Sequence, residues 1–74
     1  MRGRIRKTYG PISSGTRCEI LSKPMGNGYL TVRVGPFSER FYQQNHPLAK
    51  QLKLSNGVFD IEGDLVEVLS SEGN

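Results

Sequence analysis

Nine glycines and four prolines punctuate a chain of 74 residues. This punctuation constrains the fold more than any other feature, because both residue types are costly inside helices and strands. The segments left between them are short, and several alternate. "TRCEILSK" puts Cys18 and Ile20 on one face and Arg17 and Glu19 on the other. "YLTVRV" puts Leu30, Val32 and Val34 opposite Tyr29, Thr31 and Arg33. "VFDIE" sets Phe59 and Ile61 against Asp60 and Glu62, and "LVEV" sets Val66 and Val68 against Glu67. Alternation with period two and β-branched residues predicts half-buried strands.

Parity fixes how the first two of these strands pair. "PMGNG" joins them, and Asn27-Gly28 suggests a two-residue hairpin turn. Such a turn would place Leu21 opposite Val34, so the buried face of one strand would meet the exposed face of the other. A loop of residues 24–28 instead sets Cys18 against Val34, Ile20 against Val32 and Glu19 against Arg33. The apolar faces then coincide, and an opposite-charge cross-strand pair appears. Pro24 is a natural end for the first strand, since it offers no amide to a ladder. "SERFY" reads as a third strand with Phe41 inward. "NHPLAKQLKL" differs: Asn45 or His46 suits a cap, Pro47 a first helical position, and Leu48 and Leu52 lie four apart. One short helix or 3₁₀ piece is expected near 47–53. Asn56-Gly57 then turns the chain into a strand, a tight Gly63-Asp64 bend and a closing strand.

About five short strands and one helical turn suggest a mainly all-β, small closed barrel, because closure removes edge strands. An SH3-like barrel is the first choice and an OB-like barrel the second. The ending "F-x-I-x-G-D-L-V-E-V-L" resembles the ends of many SH3-like barrels, where a tight turn precedes the last strand. That likeness is of fold, and fold does not give function. The expected organisation is a basic arm or the start of a first strand over 1–7, a single barrel domain over 8–70, and a disordered tail over 71–74.

So short a chain makes one domain with a modest core. It has one cysteine, Cys18, so no internal disulfide reinforces it. A lone thiol suits a reducing compartment. No apolar run approaches the roughly 20 residues of a membrane helix, and no h-region follows the basic start. The expectation is a soluble, cytoplasmic protein.

Charge is unevenly laid out along the chain. Residues 2–7 carry four cations, Arg2, Arg4, Arg6 and Lys7. Residues 8–59 carry six cations and two anions, and residues 60–74 carry five anions and no cation, for a net charge of +3. A basic front and an acidic end speak to partners and steering.

Catalysis finds no support. His46 is the single histidine and sits before Pro47, with no nucleophile and orienting carboxylate gathered around it. Cys18 alternates with Ile20 and reads as a small core residue. Asp60, Glu62 and Asp64 lack the sixth-position glycine and terminal glutamate of a calcium loop. One cysteine and one histidine make no structural zinc site. Gly26-Asn27-Gly28 lacks the Gly-Lys-Ser/Thr of a phosphate cradle. No enzyme activity, metal, cofactor or small-molecule substrate is expected.

Two binding roles are left. Backbone contact with nucleic acid needs several cations that reach phosphates, and aromatic faces help with single strands. "RGRIRK" fits a flexible arm (Arg2, Arg4, Arg6, Lys7), and the outward hairpin face continues it with Arg17, Lys23, Tyr29 and Arg33. In the competing reading Ile5 points inward from a first strand, and Arg4 and Arg6 are its exposed neighbours. The alternative role is a protein–protein adaptor, inhibitor or accessory subunit of a larger complex. Without residues 1–7 the remainder has charge −1, six cations against seven anions. Phe37, Phe41 and Tyr42 lie in a loop-rich stretch, and exposed aromatics mark partner surfaces.

Overall fold

Each alternating segment becomes a strand with its apolar positions on one side. The computed structural model describes residues 1–22 and 26–70. The strands are β1 (Arg2–Ile5), β2 (Arg17–Ile20), β3 (Tyr29–Val34), β4 (Val58–Glu62) and β5 (Val66–Ser70). Between β3 and β4 lie α1 (Glu39–Tyr42) and α2 (Pro47–Ser55), and a 3₁₀ turn over Gly63–Leu65 joins β4 to β5. The five strands form one antiparallel sheet in the order β4-β3-β2-β1-β5. β4 and β5 are its edges, so the sheet is mainly β architecture without the closure expected of an SH3-like or OB-like barrel.

The hairpin register follows parity. Cys18 pairs with Val34, Glu19 with Arg33 and Ile20 with Val32. The Leu21 N–H continues the ladder by donating to the Thr31 carbonyl at 2.8 Å. Lys23 and Pro24, and with them the centre of the connecting loop, lie outside the described residues, as does the tail 71–74. Glu19 and Arg33 meet at 3.0 Å on the solvent side, and Val32 is fully buried beneath them. Ile20→Ala is expected to cost about 2–4 kcal/mol and Glu19→Ala under about 1 kcal/mol in urea titrations, because one empties core space and the other breaks an exposed pair. Equal losses would mean that the two faces are exchanged.

Residues 2–7 do not form a free arm. Arg2–Ile5 is a strand hydrogen-bonded between β2 and β5, and Ile5 is 0% exposed. The short Gly3-x-Ile5 alternation is buried on its inner side, which gives the run more from the core than from solvent.

"SERFY" is not a strand. Ser38 caps a single helical turn, its side chain accepting from the Phe41 N–H at 3.4 Å. The turn lets Phe37 and Phe41 stack at 4.0 Å, a contact that an extended segment would break. The second helix begins at Pro47, as expected, with His46 as its cap: Nδ1 accepts from the Leu48 N–H at 3.1 Å. Asn56 ends it in the left-handed conformation, Ala49 and Leu52 are buried, and Leu52 joins the core of the sheet. The core is built from Ile5, Ile12, Cys18, Ile20, Leu30, Val32, Val34, Leu52, Phe59, Ile61 and Val66. Val68, expected inward with Val66, is 56% exposed. It lies on the edge strand, opposite Gly3, which has no side chain to cover it.

Candidate nucleic-acid interface

The outer face of the sheet collects the charges that the strands alternate outward. Across β5, β1 and β2 run Glu67, Arg4 and Arg17; across β1, β2 and β3 run Arg2, Glu19 and Arg33. Ion pairs on this face include Arg4–Glu67 and Arg33–Glu19. Arg4 binds Glu67 through Nη2 at 2.8 Å and Nε at 3.2 Å, and Arg33 binds Glu19 at 3.0 Å. The guanidinium of Arg4 hydrogen-bonded to Glu67 holds that carboxyl below the usual glutamate range, with Arg6 adding to the pull. The pair therefore stabilises the fold above the ordinary glutamate pKa and is lost as pH falls through the lowered one.

Arg17 stands directly across from Arg4, an arrangement of like charges that is unfavourable unless an anion or carboxylate offsets it. Glu67 offsets Arg4; among the described residues no salt bridge offsets Arg17, Arg6 or Lys7. Arg6 and Lys7 follow β1 and line, with Arg4, a recess of about 540 Å³. Ser14 and Gly15 form its other wall. Their amides are already used, Ser14 N–H donating to the Thr8 hydroxyl and Gly15 N–H to the Ile5 carbonyl. The recess thus offers cationic side chains, with its loop amides committed to holding the wall in place.

The structure brings Arg4 and Arg17 face to face at the end of β1 that Arg6 and Lys7 follow, with Glu67 beside Arg4; Arg2 and Arg33 lie in the next outward row, with Glu19 between them. It does not bring Tyr29 to them. Tyr29 begins β3, four residues before Arg33 and so about 13 Å along the strand. It pairs with Glu62, and its neighbour Thr31 donates to Asp60 at 2.7 Å, so acidic residues flank the ring. Lys23 lies outside the described residues. Glu67 and the Ser14-Gly15 wall were missed from sequence. The only signal for the wall was a short Ser-Ser-Gly loop placed between the basic run and Arg17.

Phe37, Phe41 and Tyr42 form a half-buried cluster. Phe41 meets Tyr42 edge-on at 5.3 Å, and the Tyr42 hydroxyl accepts from the Phe37 N–H at 3.2 Å. The rings pack on one another and against the core, so they present edges and not a broad apolar patch. Cys18 is 7% exposed, and burial pushes its thiol pKa up, away from the reactive thiolate. Among the described residues no group of three or more histidine, cysteine or carboxylate side chains is placed to hold a metal ion. No helix among them is long and apolar enough to cross a membrane.

No family model, no curated protein and no solved structure matches the chain.

Proposed function

We propose that the protein is a non-enzymatic binding module that contacts the phosphate backbone of nucleic acid, as an accessory factor, through the basic end of its outer sheet face. The observation that carries this reading is the convergence of Arg17, Arg6 and Lys7 beside Arg4, with a single carboxylate, Glu67, among them. Cations that form no salt bridge among the described residues, held by the sheet and its loops, favour an anionic polymer, because each phosphate they neutralise releases condensed counterions. The architecture in this reading is a small SH3-like barrel, supported by the 3₁₀ turn just before the last strand. Its setting is the cytoplasm, where the single cysteine stays reduced. The adaptor reading through Phe37, Phe41 and Tyr42 has weaker support, since these rings spend much of their area on each other.

The test is a salt titration of binding to random duplex and single-stranded oligonucleotides. With about three phosphates neutralised, the log–log slope on duplex should lie near −3, so that raising salt from roughly 50 to 200 mM weakens binding about fortyfold. The variant Arg6→Gln, Lys7→Gln, Arg17→Gln removes exposed charges only. It should melt like the parent, and its binding should collapse to a nearly flat salt dependence. Affinity should hardly vary with sequence, because phosphate contacts carry no base code. A parent protein that ignores both oligonucleotides at low salt would overturn the proposal.

A further inference from the structure

A carboxylate stands where the outer face is richest in cations. The ladders set Glu67 on β5 beside Arg4 on β1, with Arg17 next across on β2. Glu67 also lines the recess that Arg4, Arg6 and Lys7 share, and it is the one carboxylate among the described residues lining it. Its salt bridge among those residues goes to Arg4, whose Nε and Nη2 both donate to the same oxygen, Oε1, at 3.2 and 2.8 Å. Arg4, through these hydrogen bonds, and Arg6 at longer range hold the Glu67 carboxyl below the usual glutamate range, so it is charged at neutral pH.

Two properties make this pair one that an incoming anion can open. First, its side chains are 42% and 40% exposed, and an ion pair so open to solvent is worth little, so exchanging its partner costs little. A phosphate offers the guanidinium what the carboxylate offers, charged oxygens that accept from its N–H groups. Second, Glu67 does not relieve the crowding beyond Arg4. Arg17 and Arg4 are directly opposed on neighbouring strands, with Cβ atoms about 5 Å apart. Glu67 stands two strands from Arg17, about 10 Å across the sheet. An anion seated between Arg4 and Arg17 relieves both cations, and at that position it meets the like charge of Glu67.

We propose that Glu67 is a built-in competitor for phosphate: in the free protein it occupies Arg4, and a bound nucleic-acid backbone displaces it and takes Arg4 as a further contact. This role rests on the phosphate-binding reading and adds what sets the affinity. Each backbone entering the Arg4–Arg17 row must open the pair first, so binding is looser than the cations alone would make it. When nothing is bound, the same pair ties β1 to β5.

The test measures binding of a random duplex oligonucleotide against salt for the parent, Glu67→Gln, Arg4→Gln/Glu67→Gln and Glu62→Gln. Glutamine keeps the shape of glutamate and the sites are on the surface, so all four proteins should melt within about 5 °C of one another. Glu67→Gln should bind about fivefold tighter at roughly 50 mM salt, the worth of an exposed pair no longer to be broken. Its log–log slope should steepen by about 0.9, one phosphate more, so that the gain shrinks about threefold by roughly 200 mM. The double variant should return to the parent's slope, because the gain passes through Arg4. Glu62→Gln makes the same change of charge on β4, four strand spacings or about 19 Å along the sheet from β5, and should leave binding as it was. Parent-like affinity and slope in Glu67→Gln would overturn the proposal and leave phosphate binding in place. So would an equal gain in the double variant or in Glu62→Gln, since the effect would then be one of net charge alone. If the parent and Glu67→Gln both ignore the duplex at low salt, the proposal and the phosphate-binding reading fall together.

Discussion

Deleting residues 2–7 is expected to unfold the protein, leaving no cooperative thermal transition by circular dichroism and collapsed amide dispersion by NMR. The run contains β1, which carries ladders to β2 on one side and β5 on the other. Without it β5 has no neighbour, β2 becomes an edge, and the core loses Ile5, which is 0% exposed. The cavity left by Ile5 alone costs about 2–4 kcal/mol, a large share of the roughly 5–15 kcal/mol that holds a small domain together. The deletion also removes two of the three cations assigned to phosphate, Arg6 and Lys7, so lost binding in the truncated chain says nothing about them. The charge-removing variant that keeps β1 intact separates the two effects. A truncated chain that melts within a few degrees of the parent would show that β1 is dispensable.

Gly57→Ala is expected to cost about 3 kcal/mol or more, lowering the melting temperature by roughly 12–24 °C. Gly57 follows α2 at φ +87°, where an L side chain is strained. A Cβ there would also run into the Val34 carbonyl oxygen, which is backbone of β3 and has no flexible end to swing away. The Gly57 carbonyl in turn accepts the Val34 N–H at 2.9 Å, so the contact that forbids the methyl group also joins α2's end to the sheet. Gly15→Ala is the control. Its φ is +89°, but nothing lies within 4 Å of the added atom, so only the backbone strain of about 1 kcal/mol remains. Equal effects of the two substitutions in thermal melts would mean that the close approach at Gly57 contributes nothing.

Much of the outer-face geometry was legible in short stretches of sequence. The Glu19–Arg33 pair and the Cys18, Ile20, Val32 and Val34 contacts follow from period-two parity across one loop, since a slip of one residue would turn every side chain to the wrong face. Pro47 and the Leu48–Leu52 spacing located α2, and "VFDIE" located β4 with its bounds. "SERFY" was misread because alternation was sought where the spacing was helical: Phe37 and Phe41 are four apart, and Ser38 is three before Phe41, the distance of a cap.

The period of the apolar residues is a local property, set by whether side chains repeat every two positions or every three to four, and it named the strands and α2 directly from the chain. Which strands become neighbours is not local. Arg4 and Glu67 are separated by 63 residues, and nothing near either one announces that β5 returns to pair with β1. That return placed Arg2–Ile5 inside the sheet instead of in solvent and paired Arg4 with Glu67, while among the described residues no salt bridge holds Arg17, Arg6 or Lys7. It also set Val68 opposite Gly3 on an edge strand, where it is 56% exposed. Alternation assigns each side chain a face, but the exposure and charge of that face depend on what long-range pairing brings beside it, and there the burial of Ile5 and Val66 in a shared core outweighs the solvation of the arginines between them.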